Sequence, residues 1–341
     1  MDGVKIRSYF FYFASIIIIL AGIKTASEII IILFLAIFIS SIISSIVSLF
    51  EQKKIPKIFS YIFILGVFTL ISLMLYYIIN ISLKDFISNL PKYEEQLKTT
   101  IISSISFVES YGYSIDKQTI LDTLNFSSFF GITTNVIGSI GTFLSKFLLI
   151  IIGIAFILAE SKSLEKKLKI IFDKDGKKLE HFYLFSNNIQ KYFLVKTTTS
   201  FLTGLLVAIS LIFLDIDYPI LWGVIAMLFN FIPVVGSIIA AIPAVLLSFV
   251  SADLNTTIIL IVLYVVINIS ISNIIEPKFM GKELGLSPLV IFFSLILWGW
   301  ILGIVGMFLA VPITMTLKIA FDSNKATKWI SILMSNIGNK R

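Results

Sequence analysis

The chain contains two long apolar segments that share one unusual pattern, and this pattern limits the possible folds more than any other feature. The first segment covers residues 219–249 and the second covers residues 288–318. Each begins with a proline, carries another proline 24 residues later, and is interrupted near its middle by a short break. The residues of the pattern are Pro219, Pro243 and the break Pro233-Val234-Val235-Gly236 in the first segment, and Pro288, Pro312 and the break Gly303-Ile304-Val305-Gly306 in the second. The correspondence indicates an internal repeat.

Segments of this length are too long for a simple crossing of a bilayer. A straight spanning helix needs about 20 apolar residues, so each segment is either steeply tilted or folded back on itself. A break at membrane depth exposes backbone groups that only protein or a water-filled cavity can satisfy, and matching breaks in two halves point to a transport site. Alternatively, proline and glycine only kink two long helices. The pairing favours two re-entrant helical hairpins, at residues 219–250 and 288–318.

The composition is that of a membrane protein. Hydrophobic residues make up 57% of the sequence and charged residues 14%, which excludes an ordinary soluble globular protein. The chain has no cysteine and one histidine, His181, so disulfides, thiolate metal sites and histidine-pair metal sites are excluded. The net charge of +7 comes from lysines at the predicted membrane edges, where helix orientation explains them. We therefore expect a lipid bilayer as partner, with no nucleic acid, no cofactor and no metal.

Apolar runs and the charges between them predict six spanning helices and their orientation. Three lysines in the loop at residues 51–57 place that loop and the N-terminus in the cytoplasm. Residues 84–140 carry four lysines and six carboxylates and predict two or three amphipathic helices outside, interrupted at Pro91. Residues 160–196 carry nine lysines and five carboxylates and are predicted to be cytoplasmic. The predicted spans are residues 9–23, 27–50, 58–83, 141–159, 197–214 and 256–275.

These elements predict an all-α polytopic membrane protein with about six spanning helices, two re-entrant hairpins and an inverted repeat in the C-terminal half. The first hairpin would start outside and the second inside, an arrangement typical of secondary transporters. If both broken segments simply cross, the loop at 276–287 moves outside, while the C-terminus stays inside. The predicted parts are a three-span scaffold (1–83), external amphipathic helices (84–140), a fourth span with a basic cytoplasmic segment (141–196), a transport core (197–318) and a cytoplasmic tail (319–341).

Several short motifs in the C-terminal half resemble the signature of the autoinducer-2 exporter family. They are the stretches NFIPVVG at 230–236, AIPA at 241–244, NIIEPKFMGK at 273–282, LGLSP at 284–288 and GIVGMFLAVP at 303–312. The resemblance implies a bacterial or archaeal inner-membrane transporter that works without nucleotide hydrolysis. Members of the family are credited with exporting autoinducer-2 or with exchanging sodium or lithium for protons. Ser287 stands where the family pattern has histidine, so a proton-carrying histidine is not expected there.

Polar groups at membrane depth are scarce, and the candidate site follows from them and from the breaks. Asn230 adjoins the first break and either binds cargo or holds helices together. Glu276 ends an apolar span beside Pro277, where desolvation would favour proton coupling; the alternative is a solvated carboxylate paired with Lys278 or Lys282. The candidate pathway residues are Asn230, Pro233, Gly236, Asn273, Glu276, Lys278, Gly303 and Gly306. The residues predicted to shape hairpins and loops are Pro219, Pro243, Pro277, Gly281, Pro288 and Pro312.

The sequence therefore predicts a secondary transporter or exporter of a small polar solute, similar to autoinducer-2, or a monovalent cation/proton antiporter. The alternative is a passive, channel-like permease formed by an oligomer. A homo-oligomer in the cytoplasmic membrane is expected in either case. No residue pair suitable for intramembrane catalysis is present, so an enzyme is not expected.

Overall fold

The computed structural model describes residues 2–111, 146–172, 176–233, 235–280 and 285–336, and every regular element in these ranges is a helix. The predicted external segment beyond residue 111, and the predicted loop residue Gly281, lie outside the described residues. The helices are α1 (Asp2–Thr25), α2 (Ser27–Gln52), α3 (Lys57–Glu109), α4 (Phe147–Phe172), α5 (Gly176–Phe213), α6 (Pro219–Phe229), α7 (Val235–Ser251), α8 (Leu254–Ile269), a π-helix (Ser270–Ile275), α9 (Glu276–Met280), α10 (Pro288–Asp322) and α11 (Lys328–Met334).

Five described helical stretches are long and apolar enough to cross a membrane. They are Ser27–Ser44, Ile58–Ser103, Ser186–Phe213, Leu254–Phe279 and Pro288–Asp322. The predicted first and fourth spans coincide with shorter apolar helices, Ala14–Thr25 and Phe147–Ser161. Together these stretches make the part of the chain that the structure describes that of a helical membrane protein.

The chain divides into two compact units. The first consists of residues 1–65, 148–194 and 280–341, and the second of residues 66–147 and 195–279. In the first unit, α1, α2 and α10 pack together, and the Lys24 ammonium lies 4.1 Å from the ring centroid of Trp300. In the second unit, α7 packs against both α6 and α8. The Ser248 and Thr257 hydroxyls, 3.2 Å apart and buried, join α7 to α8.

Helix α8 has the apolar outer surface that is expected of a helix in contact with lipid. One face is buried and includes Thr257, Leu260, Tyr264 and Ile267. The opposite face is also apolar but exposed, with isoleucine and valine at positions 258, 259, 261, 262, 265, 266 and 269. A helix that is apolar all round requires an apolar environment for its outer face, which lipid provides.

The interruption predicted at Pro91 is wrong, because α3 continues through this proline to Glu109. Proline costs about 3 kcal/mol in a helix interior. Packing on both sides of it offsets that cost. Phe86 lies edge-on to Trp222 with ring centroids 5.4 Å apart, and the Tyr93 hydroxyl donates to Asp217 at 2.9 Å.

Two helices extend beyond the membrane spans predicted for them. Helix α4 continues past residue 159 to Phe172, so the start of the predicted cytoplasmic segment continues the helix of the predicted fourth span. The sixth predicted span continues past residue 275, through the π-helix and α9, to Met280. Charged residues do not end these helices, since a charged side chain at the edge of a bilayer extends to the headgroups while its backbone stays helical.

The predicted break in the first apolar segment is confirmed. Pro219 occupies the first turn of α6, which ends at Phe229, and α7 begins at Val235. Gly236 lies in the first turn of α7, where a Cβ atom would overlap the carbonyl oxygen of Phe229. Pro243 lies inside α7 and does not end it.

The predicted break in the second segment is confirmed at Gly303. Its φ of 67° and ψ of −152° interrupt α10 in a conformation that glycine adopts easily. Trp298 Nε1 donates to Thr314 Oγ1 at 3.1 Å, although 16 residues of a straight helix would separate them by about 24 Å. The parts of α10 before and after Gly303 therefore lie side by side.

Pro288 and Pro312 take different places in this segment. Pro288 begins α10 and is preceded by the N-cap residue Ser287, whose hydroxyl accepts from the Val290 N–H at 3.3 Å. Pro312 is buried inside the second part of α10, and the helix continues beyond it to Asp322.

Candidate functional site

A stripe of polar side chains runs along α5 inside the second unit. Lys196, Thr199, Ser200 and Thr203 follow one another at the spacing of a single helix face, and each is at most 4% exposed. Buried polar groups are costly in an apolar environment unless they have partners. The partners of these four side chains define the candidate site.

Lys196 is the charged residue of this stripe, and it forms an ion pair with Glu276. The Lys196 Nζ atom lies 2.6 Å from Glu276 Oε1, and the two side chains are 5% and 13% exposed. The Thr199 hydroxyl lies 3.1 Å from the same carboxylate oxygen and is placed to donate to it. Glu276 is therefore held by a charge-assisted hydrogen bond and a hydroxyl, and its side chain is not that of a solvated carboxylate. Of the two partners predicted for the solvated alternative, Lys278 has an exposed side chain and Lys282 lies outside the described residues.

An irregular helix places Glu276 opposite Lys196. Ser270–Ile275 form a π-helix directly before Glu276 and Pro277. A proline ring would collide with the carbonyl group four residues earlier in a regular α-helix, and the wider π-turn accommodates it. A π-turn contains one residue more than an α-helical turn. This residue rotates the following side chains by about 100° relative to a regular helix. Short π-helical turns occur frequently at functional sites.

The stripe also reaches the break of the first apolar segment. Asn230, the residue after α6, is 4% exposed, and its Nδ2 donates to Ser200 Oγ at 3.0 Å. Pro233 follows in the same break and is half-buried. The Thr203 hydroxyl donates to the Thr199 backbone carbonyl at 2.9 Å and so stays within α5. The broken segment and the ion pair are thus joined by neighbouring residues of α5.

Two polar atoms on α8 are buried without a hydrogen-bond partner among the described residues. They are the Tyr264 hydroxyl and Asn268 Oδ1. The Asn268 amide nitrogen donates to the Tyr264 backbone carbonyl at 2.7 Å, which leaves its oxygen available. These side chains lie one turn apart on the same face of α8. A hydroxyl group can both donate and accept, so these atoms suit a hydroxyl-bearing partner.

The other predicted site residues lie elsewhere. Asn273, within the π-helix, and Lys278, in α9, both have exposed side chains. The structure therefore does not place them among the buried polar side chains around Lys196. Pro277 is exposed in α9. Gly303 and Gly306 belong to the other unit, where a Cβ atom at Gly306 would overlap the Trp298 carbonyl oxygen.

Sequence reasoning missed Lys196, Thr199, Ser200 and Tyr264. Lys196 is the last lysine of the basic segment, so the charge pattern assigned it to a cytoplasmic surface. The available signal was the run Lys-Thr-Thr-Thr-Ser-Phe-Leu-Thr at 196–203, whose polar residues recur at helical spacing where a span begins. The partner of Lys196 lies 80 residues away, so no local pattern could indicate it.

Comparisons with known proteins find a matching family model and relatives named as transport proteins. The family model described as AI-2E family transporter matches residues 13–325. A relative from Haemophilus influenzae, whose name describes it only as a candidate transport protein, is 32% identical over 333 residues, covering 95% of each chain. A protein of Borreliella burgdorferi with the same description is 30% identical over 335 residues, 97% of this chain and 91% of its own.

A further relative has a more specific name. The AI-2 transport protein TqsA of Escherichia coli is 28% identical over 325 residues, which are 95% of this chain and 94% of the relative. The family match covers nearly the whole chain, and the relatives align over almost their full lengths. The chain therefore belongs to the AI-2E transporter family.

Proposed function

We propose that this protein is a secondary transporter that moves a small polar solute or a monovalent cation across the bacterial cytoplasmic membrane, and that the Lys196–Glu276 cluster is its transport site. The ion pair between α5 and α9 carries the proposal. Ionisable residues within apolar spans are expensive and generally serve transport or proton transfer. Replacing a buried ion pair by apolar residues is often neutral or stabilising, so stability alone gives little reason to keep it.

The broken segments support the same proposal. Each has a helical part on either side of its break, and in each a glycine, Gly236 or Gly306, lies against a carbonyl at the end of the first part. We propose that both are re-entrant hairpins of an inverted repeat, with both chain termini in the cytoplasm. Asn230 connects the first break to α5 through Ser200. Helix breaks at membrane depth supply free backbone groups that coordinate solutes and ions.

The chemistry of the cluster suits exchange. A cation that enters beside Glu276 can replace the Lys196 ammonium as the partner of the carboxylate, and a proton can do the same. A neutral polar solute can use the Thr199 hydroxyl beside the ion pair and, at an earlier position on α8, the unpartnered atoms of Tyr264 and Asn268. The name of the Escherichia coli relative makes autoinducer-2 the first solute to test, with sodium, lithium and protons beside it.

The test is flux into proteoliposomes that contain the protein or a charge-neutral double variant, Lys196→Met with Glu276→Gln. Removing one charge of a buried pair costs about 3–5 kcal/mol because the other charge is left unpaired, whereas removing both avoids this penalty. We expect the double variant to remain folded and to lose saturable, gradient-dependent flux.

A second ion pair provides the matched control. Lys167 and Glu160 on α4 are also 2.6 Å apart, but their side chains are 60% and 57% exposed. The double variant Lys167→Met with Glu160→Gln should retain full flux. Undiminished flux after neutralising Lys196 and Glu276 would exclude this pair as the transport site. Ohmic currents in a planar bilayer, without saturation, would instead favour a passive permease formed by an oligomer.

A further inference from the structure

The described part of the C-terminal tail is folded back onto the start of α10. After α10 ends at Asp322, the chain turns, and the Thr327 hydroxyl donates to the Phe321 carbonyl at 2.9 Å. Helix α11 follows, and its last residue, Met334, accepts a hydrogen bond from the Ser287 N–H at 2.9 Å. Leu286 and Ser335 form an antiparallel β-bridge beside it. The tail is therefore fixed at the residues that precede α10.

These contacts place α11 beside both ends of the second broken segment. The Lys318 ammonium, near the end of α10, donates to the Gly285 carbonyl, just before its beginning. The start and the end of α10 are therefore in contact and lie at the same depth in the membrane, as expected for a chain that turns back at Gly303. A segment of this apolarity lies in the hydrocarbon core, so its polar ends lie at the membrane surface. Helix α11, which contacts these ends, therefore also lies at the membrane surface.

Helix α11 has two different faces. Ser331 is buried against the protein, with 3% of its surface exposed. Trp329, Ile332 and Leu333, at the spacing of one helix face, are 61%, 50% and 69% exposed. The apolar face thus points away from the described part of the first unit.

The charged side chains of the segment that contains this face are all basic. Residues 323–341 contain three lysines and one arginine and no carboxylate. Lys325 and Lys328 are exposed beside the apolar face. A basic segment with tryptophan and aliphatic residues on one side is typical of a helix that lies in the interface of an anionic membrane.

We propose that α11 is a membrane-surface anchor, in which Trp329, Ile332 and Leu333 enter the boundary between headgroups and acyl chains and Lys325 and Lys328 bind anionic lipid phosphates. Tryptophan favours this boundary because its ring is amphipathic. A second copy of the chain is the weaker candidate. Three side chains bury far less than the roughly 800 Å² per partner of a stable protein interface.

The cysteine-free chain allows a direct test with the whole protein. A cysteine at Leu333 is labelled with an environment-sensitive fluorophore, and the protein is reconstituted into vesicles of phosphatidylcholine with or without phosphatidylglycerol. We expect a blue-shifted emission and a loss of fluorescence when the lipids carry a spin label near the headgroup, and a smaller loss when the spin label is near the methyl end. A label at Asn324, exposed in the preceding turn, should be quenched less by either lipid.

The lysines are tested in the same protein. The double variant Lys325→Gln with Lys328→Gln should remove the dependence of quenching on phosphatidylglycerol, while size-exclusion chromatography reports an intact fold. Emission at position 333 typical of water, without quenching by either lipid, would overturn the proposal. Fluorescence changes that follow the protein-to-lipid ratio rather than the lipid headgroup would also overturn it and identify a second copy of the chain as the partner.

Discussion

Two lysines of this chain show how the environment of a residue decides its role. Lys196 and Lys167 each lie 2.6 Å from a carboxylate oxygen. The exposed pair of Lys167 is screened by water and contributes about 0–1 kcal/mol. The pair of Lys196 joins two apolar helices, and its side chains are only 5% and 13% exposed, so removing one charge without the other is costly. Equal distances therefore correspond to a surface contact in one place and a candidate transport site in the other.

At the same scale, the Tyr264 hydroxyl gives a prediction that separates packing from transport. Removing a buried hydroxyl that has no partner relieves a desolvation cost of about 1–3 kcal/mol. Tyr264→Phe should therefore leave the purified, solute-free protein at least as stable in a thermal melt. Its flux in proteoliposomes should fall, since the hydroxyl no longer binds the solute.

A buried tyrosine with a partner is the control for this variant. Tyr93 donates to Asp217 at 2.9 Å, so Tyr93→Phe should lower the melting temperature. Full flux in the Tyr264→Phe protein would remove this residue from the proposed pathway. A lower melting temperature of that variant would show that its hydroxyl has a partner in the resting protein.

At the scale of the helices, each break requires the backbone on one side of it to pack closely against the backbone on the other side. A Cβ atom at Gly306 would overlap the Trp298 carbonyl oxygen and lie 2.6 Å from Leu302 Cβ. Overpacking of this kind typically costs about 1–3 kcal/mol, so Gly306→Ala should lower the melting temperature of the protein in detergent.

Gly66, inside α3, is the matched control, because a Cβ atom there has nothing within 4 Å. Alanine is more stable than glycine in a helix interior by about 0.5–1 kcal/mol, so Gly66→Ala should raise the melting temperature or leave it unchanged. If both alanine variants are equally stable, the parts of α10 are not packed around Gly306.

The beginning of α8 predicts a dependence of stability on pH. The side chain and the backbone N–H of Thr256 form hydrogen bonds with Asp253, the N-cap residue, and hold the pKa of its carboxyl below the ordinary value. A lowered folded-state pKa stabilises the fold above the unfolded pKa of about 3.9, and this contribution is lost as pH falls through the folded pKa. Asp253→Ala should therefore melt at a lower temperature at neutral pH, and the difference should shrink in acid.

Asp253→Asn separates the charge from the cap. Asparagine retains an oxygen that accepts the Thr256 N–H but does not titrate in this range. This variant should melt near the unaltered protein at neutral pH and should lack the change in acid. A melting temperature of Asp253→Ala equal to that of the unaltered protein at neutral pH would show that the cap does not stabilise α8.

At the scale of the whole molecule, orientation in the membrane is open to a labelling test. A cysteine at Lys166, exposed on α4, should react with an impermeant maleimide only after cells are opened. Cysteines at Lys117 and at Ser251 should react in cells with a permeable outer envelope. The first two positions report the predicted cytoplasmic and external segments, and Ser251 reports the end of the first hairpin.

The combination of results identifies which part of the topology holds. Reaction of Lys166→Cys in intact cells would reverse the predicted orientation. Protection of Ser251→Cys until the cytoplasm is exposed would show that residues 219–251 cross the membrane and would remove the main support for the inverted repeat.

The fold class, the family and the positions of the two breaks could be predicted from the amino-acid sequence. Each of these depends on local patterns: apolar runs long enough to span a bilayer, prolines at helix starts, and a glycine at position 303 that can adopt a positive φ. It also predicted Glu276 as a site residue, because carboxylates are rare between residues 253 and 322 and this one lies beside an apolar run.

The contacts of Glu276 and the ends of the helices depend on packing between distant segments and could not be predicted from the sequence. The partner Lys196 lies 80 residues away, and the sequence signal of that lysine is the same as that of the surface lysines before it. Pro91 lies within a helix because Phe86 and Tyr93 pack against another segment on either side of it. Contacts between distant segments contribute free energies as large as local preferences, and a linear pattern contains only the local preferences.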